Sequence, residues 1–173
     1  MVRQAAYDFK QGFLILDRTK QFDEKSFQKI LKTCVAISNI GRGKKGYIIV
    51  GIADNDHTAT RVESQYAINC LTYERFRISG IEHEAQALDR SLDQMFQFIV
   101  EKITKSDISE PLRSYITSNL KSVRYFDKTV YVFEIFGQDA PSLYDNRYFE
   151  RAGAQVKEIQ LPDFPTFFRK YNV

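Results

Sequence analysis

Apolar residues recur at helical spacing in two stretches of the chain. Phe27, Ile30, Leu31, Cys34, Val35 and Ser38 predict a helix with one buried face. Asp23 precedes it as a cap, and Phe22 with Phe27 fits a hydrophobic staple across that cap. Leu88, Leu92, Met95, Phe96, Ile99, Val100 and Ile103 predict one long amphipathic helix running on from Glu84. Strand patterns lie around them. Tyr7–Leu16 mixes aromatic and β-branched residues about Gly12, which predicts a strand or bent hairpin. Tyr47–Ile52 is a continuous apolar run of the kind found in central strands, and it ends in the turn-forming residues 53–57. Residues 123–126 and Thr129–Phe136 flank Asp127-Lys128 as a hairpin, and Arg147–Ala152 predicts a further strand ending at Gly153. Residues 59–71 read as a short helix, Pro111 fits the first turn of another, and Leu161–Tyr171 closes the chain as a third. That order predicts an α+β fold, a single mixed domain over residues 1–173.

Composition narrows the class. With 43% hydrophobic and 27% charged residues the chain is globular, and it has no apolar run of membrane-spanning length. The N-terminus has no signal-peptide core, which predicts a cytoplasmic protein. Two cysteines and two histidines make neither a disulfide framework nor a zinc site, and Cys34, inside the apolar stripe, reads as a core thiol. The net charge of +3 is small, yet residues 1–60 carry ten basic against six acidic side chains. Residues 61–110 reverse that balance, six against nine, so an anion-binding face is expected from the ends of the chain.

Gly41-Arg42-Gly43-Lys44-Lys45-Gly46 matches the GxGxxG spacing of a dinucleotide loop, but it follows a helix and feeds a strand. The fingerprint needs the reverse order, because phosphate sits on the N-terminus of the helix that the loop opens. Tyr47 and Ile48 also stand where a phosphate-binding P-loop needs Lys and Ser/Thr. What remains is a glycine loop with three cations, able to touch phosphates or simply to be a solvated turn.

Four pieces in order resemble a known family. Tyr7-Asp8-Phe9-Lys10 is similar to an "EFK" signature, and residues 36–39 to a helix end of the form "AfaN". Residues 50–54 are similar to a strand end of the form "iGvdD", and residues 129–153, with Pro141 and Tyr148–Gly153, to the ending of the pattern. Together, from about Tyr7 to about Ile159, they resemble the Schlafen domain of the AlbA-like type. The resemblance implies a mixed sheet packed by helices that binds nucleic acid, RNA before DNA, in a defence or regulatory protein. Some members are metal-dependent endoribonucleases acting on structured RNA such as transfer RNA. Others are DNA-binding or ATP-binding modules of larger polypeptides. Curved, two-lobed assemblies are common in the family, so a homo-oligomer is a further expectation. The nuclease members use three carboxylates. By position two of these fall on Asp8 and Asp54, with Asp56 as a fallback, and the first falls on Arg3. A triad lacking its first acid implies a noncatalytic member, or a piece of a longer protein cut just inside the motif.

Asp8 and Asp54 on neighbouring strands could hold one Mg²⁺ or Mn²⁺, since such an ion takes one or two carboxylates plus water and substrate phosphate. Lys10 shares a strand face with Asp8 and could stabilise phosphate charge during catalysis. For nucleic-acid binding the candidates are Lys10, Arg42, Lys44, Lys45, Arg147 and Arg151, the last two sharing a face of their expected strand. With 14 Phe and 10 Tyr most aromatic residues must be core, and none is assigned to base stacking.

Overall fold

The computed structural model describes residues 6–172, so Arg3 and the start of the chain lie outside the described residues. The first strand, β1 (Ala6–Lys10), is shorter than the predicted Tyr7–Leu16, because the chain then turns irregularly and closes only a single bridge, Leu14 to Phe22. Helix α1 (Glu24–Ser38) starts as expected. The Asp23 carboxylate accepts from the Ser26 N–H at 3.0 Å, and the Phe22 and Phe27 rings lie 5.4 Å apart.

The predicted Tyr47–Ile52 run is two elements, β2 (Lys45–Val50) and β3 (Ile52–Ala53). Gly51 between them has φ +112°, a backbone that L side chains rarely adopt, and this kink sends β3 into a second sheet. Helix α2 (Asp56–Tyr66) is capped by Asn55, and a hairpin the sequence reading missed, β4 (Leu71–Tyr73) and β5 (Phe76–Ile78), follows. The long helix expected from Glu84 is also two. α3 (Glu82–Ala87) ends before Asp89, whose φ is +52°, and α4 (Leu92–Thr104) restarts on a reciprocal capping box between Ser91 and Gln94. That Ser-x-x-Gln signal was readable in the sequence. α5 (Leu112–Asn119) follows Pro111, then β6 (Lys121–Tyr125) and β7 (Lys128–Phe136) form the expected hairpin about Phe126-Asp127. β8 (Phe149–Ala152) and β9 (Gln155–Glu158) pair with each other. The predicted closing helix is one turn and a half, α6 (Phe164–Phe168), between two 3₁₀ turns.

The main sheet has the order β1-β2-β7-β6, with β1 parallel to β2 and the other pairs antiparallel. Its inner face carries Ile48 and Val50 of β2 and Tyr131, Phe133 and Ile135 of β7, all fully buried. α1 covers this face with Ile30, Cys34 and Ile37, and Met95, Ile99, Leu112 and Ile116 of α4 and α5 complete the core. Burial pushes the Cys34 thiol far up, as a core thiol requires, with the nearby Asp8 charge adding to the effect. β3, β5 and β4 form the second sheet, beside the outer face of the first: the rings of Phe9 and Phe76 lie 5.0 Å apart. The result is the expected α+β domain, and among the described residues no helix is long and apolar enough to cross a membrane.

Candidate nucleic-acid interface

Alternation along the edge strand β1 sends Asp8 and Lys10 to the same side as Ile48 and Val50, their register partners on β2. At the rim of that side α1 presents Lys29, Lys32 and Thr33, three positions that share one helix face at i, i+3 and i+4. The β8–β9 hairpin closes the third wall with Phe149, Ala154, Gln155 and Val156. The space between is an open cleft of about 560 Å³ whose charged lining is Lys10, Lys29 and Lys32 against the single carboxylate of Asp8. Lys10 lies 3.4 Å from that carboxylate, and Lys32 sits 5.7 Å from the centre of the Phe149 ring. Among the described residues Lys29 and Lys32 have no ion-pair partner, so the cleft keeps a positive field. A second cavity of about 440 Å³, between α1 and α4, lacks that positive excess, with Glu24, Glu101 and Asp107 against Lys102 and Lys105 and Glu24 paired to Lys102.

One buried residue holds the hairpin wall to the helix. Asn39, at the end of α1, donates to the carbonyls of Ser142 and Phe149 at 3.0 and 2.9 Å and accepts from the Ser142 N–H at 2.8 Å. Phe149 thereby keeps its ring at the cleft, covered also by the Arg147 guanidinium at 5.4 Å.

The other expected site residues are spread more widely. Arg151 lies on the cleft side of β8, since its register partner Val156 and its neighbour-but-one Phe149 both line the cleft. Arg147 is outside the strand, contrary to its expected place within it. It bridges to Tyr144 and pairs with Asp145 and Glu158 at 3.5 and 3.7 Å. The glycine loop sits at the opposite end of β2 from Asp54 and does not surround the carboxylates. There Gly43 donates to Gly137 and Gly137 to Lys44. Arg42 is engaged by Asp139 at 3.6 Å and by the Tyr171 carbonyl at 3.1 Å, and Lys45 by Glu134 at 3.7 Å on the outer face. Lys44 remains on the loop, half-buried.

Asp54 does not line the cleft. It follows the Gly51 kink and accepts from the Asn55 side chain at 3.0 Å, while Asp56, the fallback, pairs with Arg77 at 3.0 Å. A divalent cation needs convergent oxygen ligands, and among the described residues the charged group paired with Asp8 is the cation Lys10. Among the described residues no group of three His, Cys, Asp or Glu side chains is placed to hold a metal ion. The described residues therefore do not fit the Mg²⁺ or Mn²⁺ site that the resemblance implies. Lys29 and Lys32 were missed at the sequence level. Their i, i+3 spacing beside the apolar stripe was visible, but not what they face.

A helix-covered mixed sheet with a lysine-lined cleft along its edge strand defines an α+β domain suited to polyanions. Comparison with known families sharpens this. A family model described as Schlafen, AlbA_2 matches residues 5–160, and the chain belongs to that family. Membership points to a nucleic-acid-binding domain. A crystal structure of the DIP2311 protein from Corynebacterium diphtheriae is similar in fold, with a TM-score of 0.52 at 16% identity over 98% of this chain. The match covers 24% of that protein, so this chain spans about a quarter of its length. Comparison with curated proteins finds no match.

Proposed function

We propose that this domain binds nucleic acid through the β1–α1 cleft, with no metal-dependent cleavage site assembled among the described residues. The observation that carries the reading is the convergence of Lys10, Lys29 and Lys32 on one open cleft with a single opposing carboxylate. Each lysine that meets a backbone phosphate releases a condensed counterion, so binding depends on salt. Asp8 partly neutralises Lys10 and leaves Lys29 and Lys32 as the stronger contacts. RNA is the first ligand to test, with DNA of the same sequence beside it. Lys29→Gln and Lys32→Gln should each weaken binding and lower the slope of log affinity against log salt by about one. Unchanged affinity and slope in both variants would remove the cleft as the site. On the same reading, transfer RNA incubated with the protein and Mg²⁺ or Mn²⁺ stays intact. Cleavage that disappears in Asp8→Asn would restore the nuclease expectation.

A further inference from the structure

The sheet face opposite the cleft is aromatic and half open. Tyr7 and Phe9, the residues of β1 that alternate with Asp8 and Lys10, point there. Tyr47 stacks on Tyr7 at 5.4 Å and 25° between planes, and Phe9 meets Phe76 of the β4–β5 hairpin. Tyr73 is the register partner of Phe76, and its ring lies 6.2 Å from Tyr125, which contacts Phe126 at 4.8 Å. The rings thus form two groups, Tyr47–Tyr7–Phe9–Phe76 and Tyr73–Tyr125–Phe126, joined by the register pair Phe76–Tyr73 into a track from β2 to the β6–β7 turn. None of them is buried. Tyr7 is 48% exposed, Tyr73 53%, Tyr125 37% and Phe126 76%. With Val123 beside them, these make five of the eight large apolar side chains that stand exposed among the described residues. Chance scatter of surface apolar groups would not collect them on one face. Phe126 also holds a φ of +54°, so a bulky exposed ring occupies a turn position that suits Gly or Asn.

Charge selects the occupant. The two hairpins expose Arg75, Lys121 and Arg124 against Glu74 and Asp127, and the Arg75 guanidinium lies 5.2 Å from the Phe76 ring, while Arg77 is held by Asp56 and Glu63 and Lys128 is buried. A second copy docking face to face would set like charge against like charge, whereas a polyanion with flat apolar groups matches both features. Duplex bases are stacked on each other and offer no free faces, so the track suits unpaired bases. We infer that the outer aromatic track, Tyr47–Tyr7–Phe9 continuing through Tyr73, Tyr125 and Phe126, is a stacking surface for single-stranded nucleic acid. This rests on the cleft reading above and adds to it: one strand, β1, places lysine-lined phosphate contacts on one side and base-stacking rings on the other.

The test compares a fluorescein-labelled single-stranded RNA 12-mer with its blunt duplex by anisotropy, using the wild type, Tyr73→Ala, Phe126→Ala and Lys29→Gln/Lys32→Gln. The altered aromatic residues are exposed, and far-UV circular dichroism checks that the variants fold. The single strand should bind at least tenfold more tightly than the duplex. Each aromatic variant should lose roughly tenfold of single-strand affinity while keeping the salt slope, and the lysine variant should lower the slope. Because the chain has ten Tyr and no Trp, tyrosine emission should also fall on single-strand binding. Equal affinity for strand and duplex, unaffected by the aromatic variants but weakened by the lysine variant, overturns the stacking surface and leaves the cleft. Aromatic variants that shift the protein from dimer to monomer with RNA affinity unchanged overturn it in favour of self-association. Absence of binding to either RNA overturns both readings.

Discussion

At the residue scale the most constrained contact is between Gly12 and Glu84. The Glu84 carboxylate is buried under the turn after β1 and accepts the N–H groups of Phe13 and Leu14 at 2.8 and 2.9 Å. A Cβ at Gly12 would stand 2.4 Å from that carboxylate, so Gly12→Ala must push the anion off its two donors. We expect a loss of at least about 2 kcal/mol in urea unfolding, the cost of stranding buried hydrogen-bonding groups. Burial pushes the Glu84 carboxyl up to about 7 from 4.5, although the two donors pull it down. His83 beside it, packed 4.4 Å from the Tyr66 ring and facing Lys128 and Lys20, is pushed down by burial to about 4 from 6.5. The two act on stability in opposite senses. Between pH 4.5 and 7 the folded state holds the Glu84 proton that the unfolded chain has lost, so this contribution falls as pH rises. Between pH 6.5 and 4 the unfolded chain takes up the His83 proton first, so that contribution falls as pH falls. Their overlap should flatten the wild-type profile. His83→Gln should become less stable from pH 4.5 to 7, and Glu84→Gln less stable from pH 6.5 to 4. Parallel profiles for the two variants in thermal melts would refute the assignment.

At the element scale, Asn39 explains why a helix ending in Ala-x-x-Asn matters beyond its cap. Its side chain makes three buried hydrogen bonds to the segment leading into β8, joining the end of α1 to the hairpin that walls the cleft. Asn39→Ala strands one N–H and leaves two carbonyls short of a donor. A cost of about 3 kcal/mol is expected, with faster hydrogen exchange in β8 and β9 than in α1 as the local signature. The Ser91–Gln94 box has a smaller role. Ser91→Ala removes one cap from α4 and should cost about 1 kcal/mol, read as a lower unfolding midpoint with unchanged nucleic-acid affinity. Helix periodicity made α1 and α4 legible because their buried faces repeat every three to four residues. The β4–β5 hairpin escaped because Leu71–Ile78 is short, carries charges, and is ordered by its pairing with β3.

At the scale of the whole molecule, the two faces of β1 organise the surface. Period-two alternation in Tyr7-Asp8-Phe9-Lys10 was already present in the sequence, and so were the capped α1, the apolar β2 and the alternating β7. These rest on local periodicity and end signals, which the chain carries without reference to its fold. The order of motifs likewise identified the family. The tertiary structure decided which charges meet. Parallel pairing with β2 leaves β1 at the sheet edge among the described residues. Packing of α1 on the inner face then brings Lys29 and Lys32 to Asp8 and Lys10. The kink at Gly51 carries Asp54 away from that cleft, and the glycine loop ends up at the far end of β2 with Arg42 and Lys45 engaged by acidic partners. Residues tens of positions apart meet only through strand order and helix packing. Composition and spacing do not encode those meetings locally, so the sequence determined the elements and the family, and the fold determined the site.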